Sequence, residues 1–220
     1  GSAALGANNT ALGVNTLNSA AVAVTDLVAI GANALTDAVT TNGTVAVGSS
    51  ALTALTTGAT NTAVGSTAGS TITTGSSNTL VGHTTASAAT ASNNTIVGAT
   101  AGSTALGNNN TSVGTNTLNS AAAAVTDTVA IGANALTSAL TTGANGTVAV
   151  GSSALTALTS GAANTAIGQN SQQLVTTGSN NTSVGFAAVD ASAVDVVHLV
   201  AVGANALGGA VTATADGADR

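Results

Sequence analysis

The chain has no cysteine, proline, methionine, tryptophan or tyrosine, and a single phenylalanine, Phe186. Lys and Arg together number one, the terminal Arg220, and all seven acidic residues are Asp. Charged residues are 4% of the 220, against about 25% in a typical soluble domain. Each absence excludes something. Without Cys there is no disulfide scaffold and no thiolate metal site. Nucleic acid binding needs Lys and Arg to neutralise phosphates, and one terminal Arg does not suffice. No apolar run approaches the roughly 18 residues of a spanning helix, so no membrane insertion is expected. No basic segment leads into an apolar one, so any secretion signal is expected outside this sequence. Carbohydrate and protein hot spots draw on Trp and Tyr, so a receptor-binding tip is not expected here.

What is present is 44% hydrophobic residues, all but one of them Ala, Val, Leu or Ile, mixed with Thr, Ser, Asn and 27 Gly. High hydropathy with low charge is the reverse of a disordered composition. A surface with so few charges is expected to be buried in an assembly.

The sequence repeats at two levels. Ala3–Thr36 reads AALGANNTALGVNTLNSAAVAVTDLVAIGANALT, and Thr104–Thr137 reads TALGNNNTSVGTNTLNSAAAAVTDTVAIGANALT, an offset of 101 residues. The offset becomes 103 after an extra pair near Gly143–Ala144, as GTVAVGSSALTALT at Gly43–Thr56 and Gly146–Thr159 shows. Beneath this lies a short repeat. An aliphatic residue followed by Gly recurs at Gly13, Gly31, Gly48, Gly65, Gly82, Gly98, Gly114, Gly132, Gly151, Gly168, Gly185 and Gly203. The spacing is 16 to 19 residues, about 17 on average, which is the self-similarity of a solenoid. Gly6 and Gly107, seven residues before a coil glycine, read as extra turns. The whole of 1–220 reads as one array, with long repeats at about 1–101 and 102–207 and a tail at 208–220.

With that Gly as position 0, position −1 is always a large aliphatic, −2 is mostly Ala, −3 is Thr or Val, and −4 is usually Asn or Thr. Leu is frequent at +4, and another aliphatic stands near +7 (Val39, Leu55, Ile72, Val175). The alternation predicts a short strand over −3 to −1. Gly at 0 predicts a corner that excludes a Cβ. A 17-residue unit cannot bury its aliphatics alone, so coils must stack. The expected fold is all-β: a parallel β-solenoid, a β-roll or β-helix, of about twelve 17-residue coils forming a rod of roughly 55–60 Å. A helical alternative for Asn18–Val24 and Ala121–Val125 rests on Ala alone and shows no capped, periodic stripe. Positions −1 and −3 are expected to face inward, placing Val47, Val64, Val97, Ile131, Val150, Ile167 and Val184 in the core. Ala at −2, with Leu80 and Ile96, would then face outward. A small apolar outward face in every coil suggests packing against other chains, as in a symmetric trimer.

NTAVG (Asn61–Gly65), NTAIG (Asn164–Gly168), NTSVG (Asn110–Gly114, Asn181–Gly185), TVAIG (Thr128–Gly132) and TVAVG (Thr44–Gly48, Thr147–Gly151) resemble the repeated strands of YadA-like heads in trimeric autotransporter adhesins. The fuller unit, N-N-T-x-V-G-x-x-A-x with a TTG-type turn, is similar to repeats in phage tail fibres. The resemblance covers essentially the whole chain. It implies an extracellular or virion-borne, trimeric β-roll or β-helical fibre that pairs with copies of itself and with further fibre domains outside this chain. The period here is longer than in the adhesin heads, and no heptad stalk or membrane anchor is present in the sequence.

Catalysis needs ionisable groups that converge, and few exist. His83 follows Gly82 and His198 lies five before Gly203, so they occupy different coil positions. Asp190, Asp195 and His198 form the only grouping of a His with nearby carboxylates, and read as a solvated loop of the last coil. Asp26 and Asp127 are equivalent turn residues. Asp216, Asp219 and Arg220 read as a solvated tail. No catalytic residue, cofactor or metal site is expected. Asn at −4 (Asn9, Asn61, Asn78, Asn94, Asn110, Asn164, Asn181) is placed to hydrogen-bond along a ladder. Glycosylation sequons occur at Asn8, Asn42, Asn93, Asn109, Asn145 and Asn180, and the repeat by itself generates them. The leading expectation is a fibre shaft of a viral tail fibre or surface adhesin, acting as a rigid spacer. A self-assembling surface filament or matrix protein is the alternative. An ice-binding solenoid is disfavoured because Thr at −3 is expected inward.

Overall fold

The chain is described from a computed structural model, over residues 5–19, 23–37, 39–85, 90–102, 106–121, 124–190 and 196–209. Twelve three-residue strands follow one another: β1(Thr10–Leu12), β2(Val28–Ile30), β3(Val45–Val47), β4(Thr62–Val64), β5(Thr79–Val81), β6(Thr95–Val97), β7(Thr111–Val113), β8(Val129–Ile131), β9(Val148–Val150), β10(Thr165–Ile167), β11(Thr182–Val184) and β12(Val200–Val202). They form one parallel sheet in sequence order. Every pairing is in register on the corner glycine, for example Thr62↔Thr79, Ala63↔Leu80 and Val64↔Val81. The protein is therefore a β-solenoid with one strand per coil, and each coil below takes its strand's number. Eleven strand spacings of about 4.8 Å make the sheet about 53 Å long.

The only helical element among the described residues is a 3-10 turn at Thr142–Ala144, where the second long repeat carries its extra pair. Parts of Asn18–Val24 and Ala121–Val125, and residues 210–220 of the tail, lie outside the described residues.

All twelve corner glycines have positive φ, between +121° and +143°. Gly65 shows why no side chain is tolerated: a Cβ there would stand 2.2 Å from the carbonyl oxygen of Gly82 in the next coil. Each interior corner lies directly on the one above it.

Further corners turn through the left-handed region at −5, +2 and +4. Asn, Asp and Gly occupy many of them, as expected. Thr60, Thr67, Thr84, Thr100 and Val189 also do so, with φ between +52° and +58°. A β-branched residue there is strained. Stacking offsets this, as where the hydroxyls of Thr67 and Thr84 hydrogen-bond at 3.0 Å.

The interior contains what +4 and +7 supply. Leu17, Leu35, Leu52, Leu118, Leu136 and Leu155 at +4 are fully buried, as are Leu55, Leu158 and Val175 at +7. Burial of each is worth about 1.5–3 kcal/mol.

The strand facing them reverses the expected orientation. Position −2 is buried in every strand except β1, while −1 and −3 are half-buried or exposed. Val64, Ile131, Ile167 and Val184 are 36–40% exposed, and Val47, Val97 and Val150 are half-buried on the same outer surface. None belongs to the core. The reason is volume: the leucines from +4 and +7 fill the interior, so the opposite wall has room only for Ala. Leu80 and Ile96 confirm the rule. Ile96 stands at −2 of the coil whose +4 is Gly102, and Leu80 lies against Gly69, the +4 residue of the preceding coil, where a Cβ would meet Leu80 Cδ1 at 2.7 Å. The large side chain has moved from one wall to the other.

Candidate interaction face

With −2 inside, the outer face of the sheet carries two columns. One is the −1 aliphatic of every coil. The other is −3, Thr in seven coils and Val in five. In β4–β7 the −3 column is Thr62, Thr79, Thr95 and Thr111, unbroken and in register. Their hydroxyls make no hydrogen bond within the described chain. Threonines elsewhere behave differently: Thr16 and Thr53 donate to the carbonyls of Gly13 and Ser50, at 3.2 and 2.8 Å. The outer face thus joins apolar methyls with unused donors and acceptors. No charged residue stands on it.

Inside, the expected amide ladder is present. The Asn78 amide nitrogen donates to Asn61 Oδ1 at 3.0 Å and to the Ala91 carbonyl at 2.8 Å. Asn78 Oδ1 accepts from the Asn94 backbone N–H, and Asn94 Oδ1 from that of Asn110. Asn164 and Asn181 form a shorter run, at 3.0 Å. Each amide spans the interior, from the strand side to the carbonyl at −7 of the following coil. These asparagines are fully or almost fully buried, so the bonds are shielded from water. The ladder stops where Thr44 and Thr147 replace Asn, and both hydroxyls are buried without a partner.

The core has two further polar substitutions, and in each the groups pair. Ser112 at −2 meets Thr117, and Ser183 meets Ser171 and Gln172, whose Nε2 donates to Ser183 Oγ at 2.9 Å. Gln172 Oε1 remains unpaired.

Among the described residues the ionisable side chains do not converge. His83 is exposed, and its ring bonds the Thr84 hydroxyl. His198 is at an exposed left-handed corner, and Asp190 is at +5 of another coil. Asp195, Asp216, Asp219 and Arg220 lie outside the described residues. Among the described residues no three His, Cys, Asp or Glu come together as a metal site would need, and there is no cavity. Asp26 and Asp127 are exposed at equivalent corners. The Asn8 amide and the Thr25 hydroxyl hold the Asp26 carboxyl below its ordinary value, and Asn109 and Thr126 do the same for Asp127.

Four sequon asparagines, Asn8, Asn93, Asn109 and Asn180, share the exposed −5 corner column. The other two, Asn42 and Asn145, use their amide oxygens to accept the backbone N–H of Thr25 and Thr126.

Sequence reasoning missed the outer −1 and −3 face as a surface. The signal that could have found it is complementary volume: −2 is small, Ala or Ser, in every coil with Leu at +4, and the two large −2 residues, Leu80 and Ile96, fall where glycine stands at +4 of the preceding or the same coil. Among the described residues no helix is long and apolar enough to cross a membrane. Comparison with known protein families, curated proteins and solved structures finds no match.

Proposed function

We propose that the chain is a structural rod, the shaft segment of a fibre outside the cell such as a viral tail fibre or trimeric surface adhesin. Its activity is mechanical: it sets the distance and stiffness at which other domains are displayed. The observation that carries this reading is the unbroken twelve-strand ladder, in which every coil is braced by its neighbours. The NTAVG-type strands support it, since they resemble the repeats of such fibres. Sparse charge and no Lys or Arg before Arg220 fit a shaft that resists trypsin-like cleavage. Catalysis forms no part of the proposal, nor do cofactors. The partners are copies of the chain, three about a common axis, and adjoining fibre domains.

Electron microscopy of the native source with an antibody to this chain tests the reading. Label along discrete fibres on virions or cells supports it. Label on open-ended homopolymers favours the filament alternative, and label confined to the cell interior contradicts both.

A second reading is favoured by one observation, the outward Thr column of β4–β7. A flat, rigid array of hydroxyls and methyls is a surface on which water can order. Thermal hysteresis by the purified chain would support ice binding, and its absence would remove that reading.

A further inference from the structure

We infer that the outer face of the sheet, built from positions −1 and −3, is the surface through which copies of this chain join. The inference rests on the fibre reading for its biological setting, and on three structural observations for its chemistry.

The first is composition. The face is aliphatic at −1 in every coil, and in the middle of the rod residues such as Val64, Val81 and Ile131 are 37–38% exposed. A contiguous apolar strip of this kind marks an interaction surface in a soluble protein. The second is the hydroxyl column of Thr62, Thr79, Thr95 and Thr111, which makes no bond within the described chain. A hydroxyl both donates and accepts, so such a column can pair with an identical one. The absence of charge means that two such faces meet without burying an unpaired ion.

The third is size and period. The strip is about 53 Å long and, at three residues of about 3.3 Å, about 10 Å wide. Each copy therefore offers about 500 Å², and two faces together about 1,000 Å², the scale at which a specific interface begins. Only a partner that repeats every 4.8 Å or so over this whole length can stay in register with it. A second copy of this chain has that repeat. The interface surface is thus not the Ala column at −2, which is inside, but the columns on either side of it.

Sedimentation of the purified chain, with circular dichroism to follow folding, tests the inference. The wild type is expected to sediment as an oligomer. Val81→Lys with Val97→Lys puts two charges on the face, where a lysine can reach water in a separate chain. This variant is expected to keep its β spectrum and fall to the mass of one chain. Ser66→Lys with Thr74→Lys, exposed positions off the strand, is expected to leave the mass unchanged. Should the face variant fail to fold, cysteine cross-linking replaces it, since the natural chain has no Cys. Val97→Cys is expected to form an interchain disulfide on mild oxidation, and Ser66→Cys is not. A wild type of single-chain mass, or a folded face variant that stays oligomeric, overturns the inference. A monomer that is still a stiff rod by small-angle scattering would defeat the interface but leave the shaft reading standing. A compact monomer would defeat the shaft reading as well.

Discussion

Coils 4–7 and the two pairs of coils 2–3 and 8–9 build the same cross-section in different ways. In coils 4–7 the interior carries the amide ladder Asn61–Asn78–Asn94–Asn110, and +4 is glycine at Gly69 and Gly102. The space is taken by Leu80 and Ile96 from the strand side. In coils 2–3 and 8–9 no ladder exists. Leu27, Thr44, Thr128 and Thr147 stand at −4, and Leu35, Leu52, Leu136 and Leu155 fill the interior from +4. The outer surface changes as well, from Thr at −3 in coils 4–7 to Val at −3 in the others. One region is held by directed, shielded hydrogen bonds, the other by aliphatic packing that leaves the Thr44 and Thr147 hydroxyls unpaired. Backbone geometry is common to both, so the corner glycines define the coil and the interior residues determine how firmly it is held.

The largest expected effect breaks what the two regions share. Gly65→Ala adds a Cβ 2.2 Å from the Gly82 carbonyl oxygen, at φ +141°. It is expected to cost more than about 4 kcal/mol in urea unfolding. At the last corner, Gly203, a Cβ meets nothing nearer than Ala206 Cβ at 4.0 Å. Gly203→Ala is expected to cost only the backbone strain, about 1–3 kcal/mol. Equal costs at the two corners would show that stacking is not what excludes the side chain.

The next effect separates the regions. Asn78→Ala removes the bonds to Asn61 and Ala91 and strands the Asn94 N–H. Expected destabilisation is about 3–5 kcal/mol, because buried groups lose their partners. Thr44→Ala removes a hydroxyl that bonds nothing, and its cost is expected to stay within about 1 kcal/mol. The reverse change sharpens the comparison. Thr44→Asn and Thr147→Asn extend the ladder toward Asn61 and Asn164, and each is expected to stabilise by about 1 kcal/mol, read as a raised Tm.

The smallest effect concerns acid. Hydrogen bonds from Asn8 and Thr25, and from Asn109 and Thr126, depress the Asp26 and Asp127 carboxyls in the folded state. Their contribution is therefore complete above the unfolded value of about 3.9 and is lost as pH falls through the lower folded values. The wild-type Tm is expected to drop more between pH 5 and 3 than that of Asp26→Asn with Asp127→Asn. Parallel curves would remove these carboxyls from the acid response.

Much of this was legible in the residues. The corner glycines define the period, and the period dictates stacked parallel strands. Asn at −4 forms the ladder its recurrence suggests. The sidedness of the strand was not legible from alternation alone, because −1, −2 and −3 are all apolar or nearly so in TVAVG and TVAIG. Hydrophobicity favoured Val64 and Ile131 over Ala63 and Ala130 for the interior, whereas volume decides the other way once Leu52 and Leu136 are placed opposite. A three-residue strand read without the facing wall has no means of showing which side is full. The interaction face was hidden by the same ambiguity.

Distance growth along the rod tests the central claim most directly. Spin labels at Ser66 and Ser152, just past the corners of coils 4 and 9, are separated by five strand spacings, and labels at Ser49 and Gln169 by seven. Diluted with unlabelled chain, the pairs are expected at about 24 and about 34 Å. Distances that fail to increase with coil number, by about 4.8 Å for each, would contradict the stacked ladder.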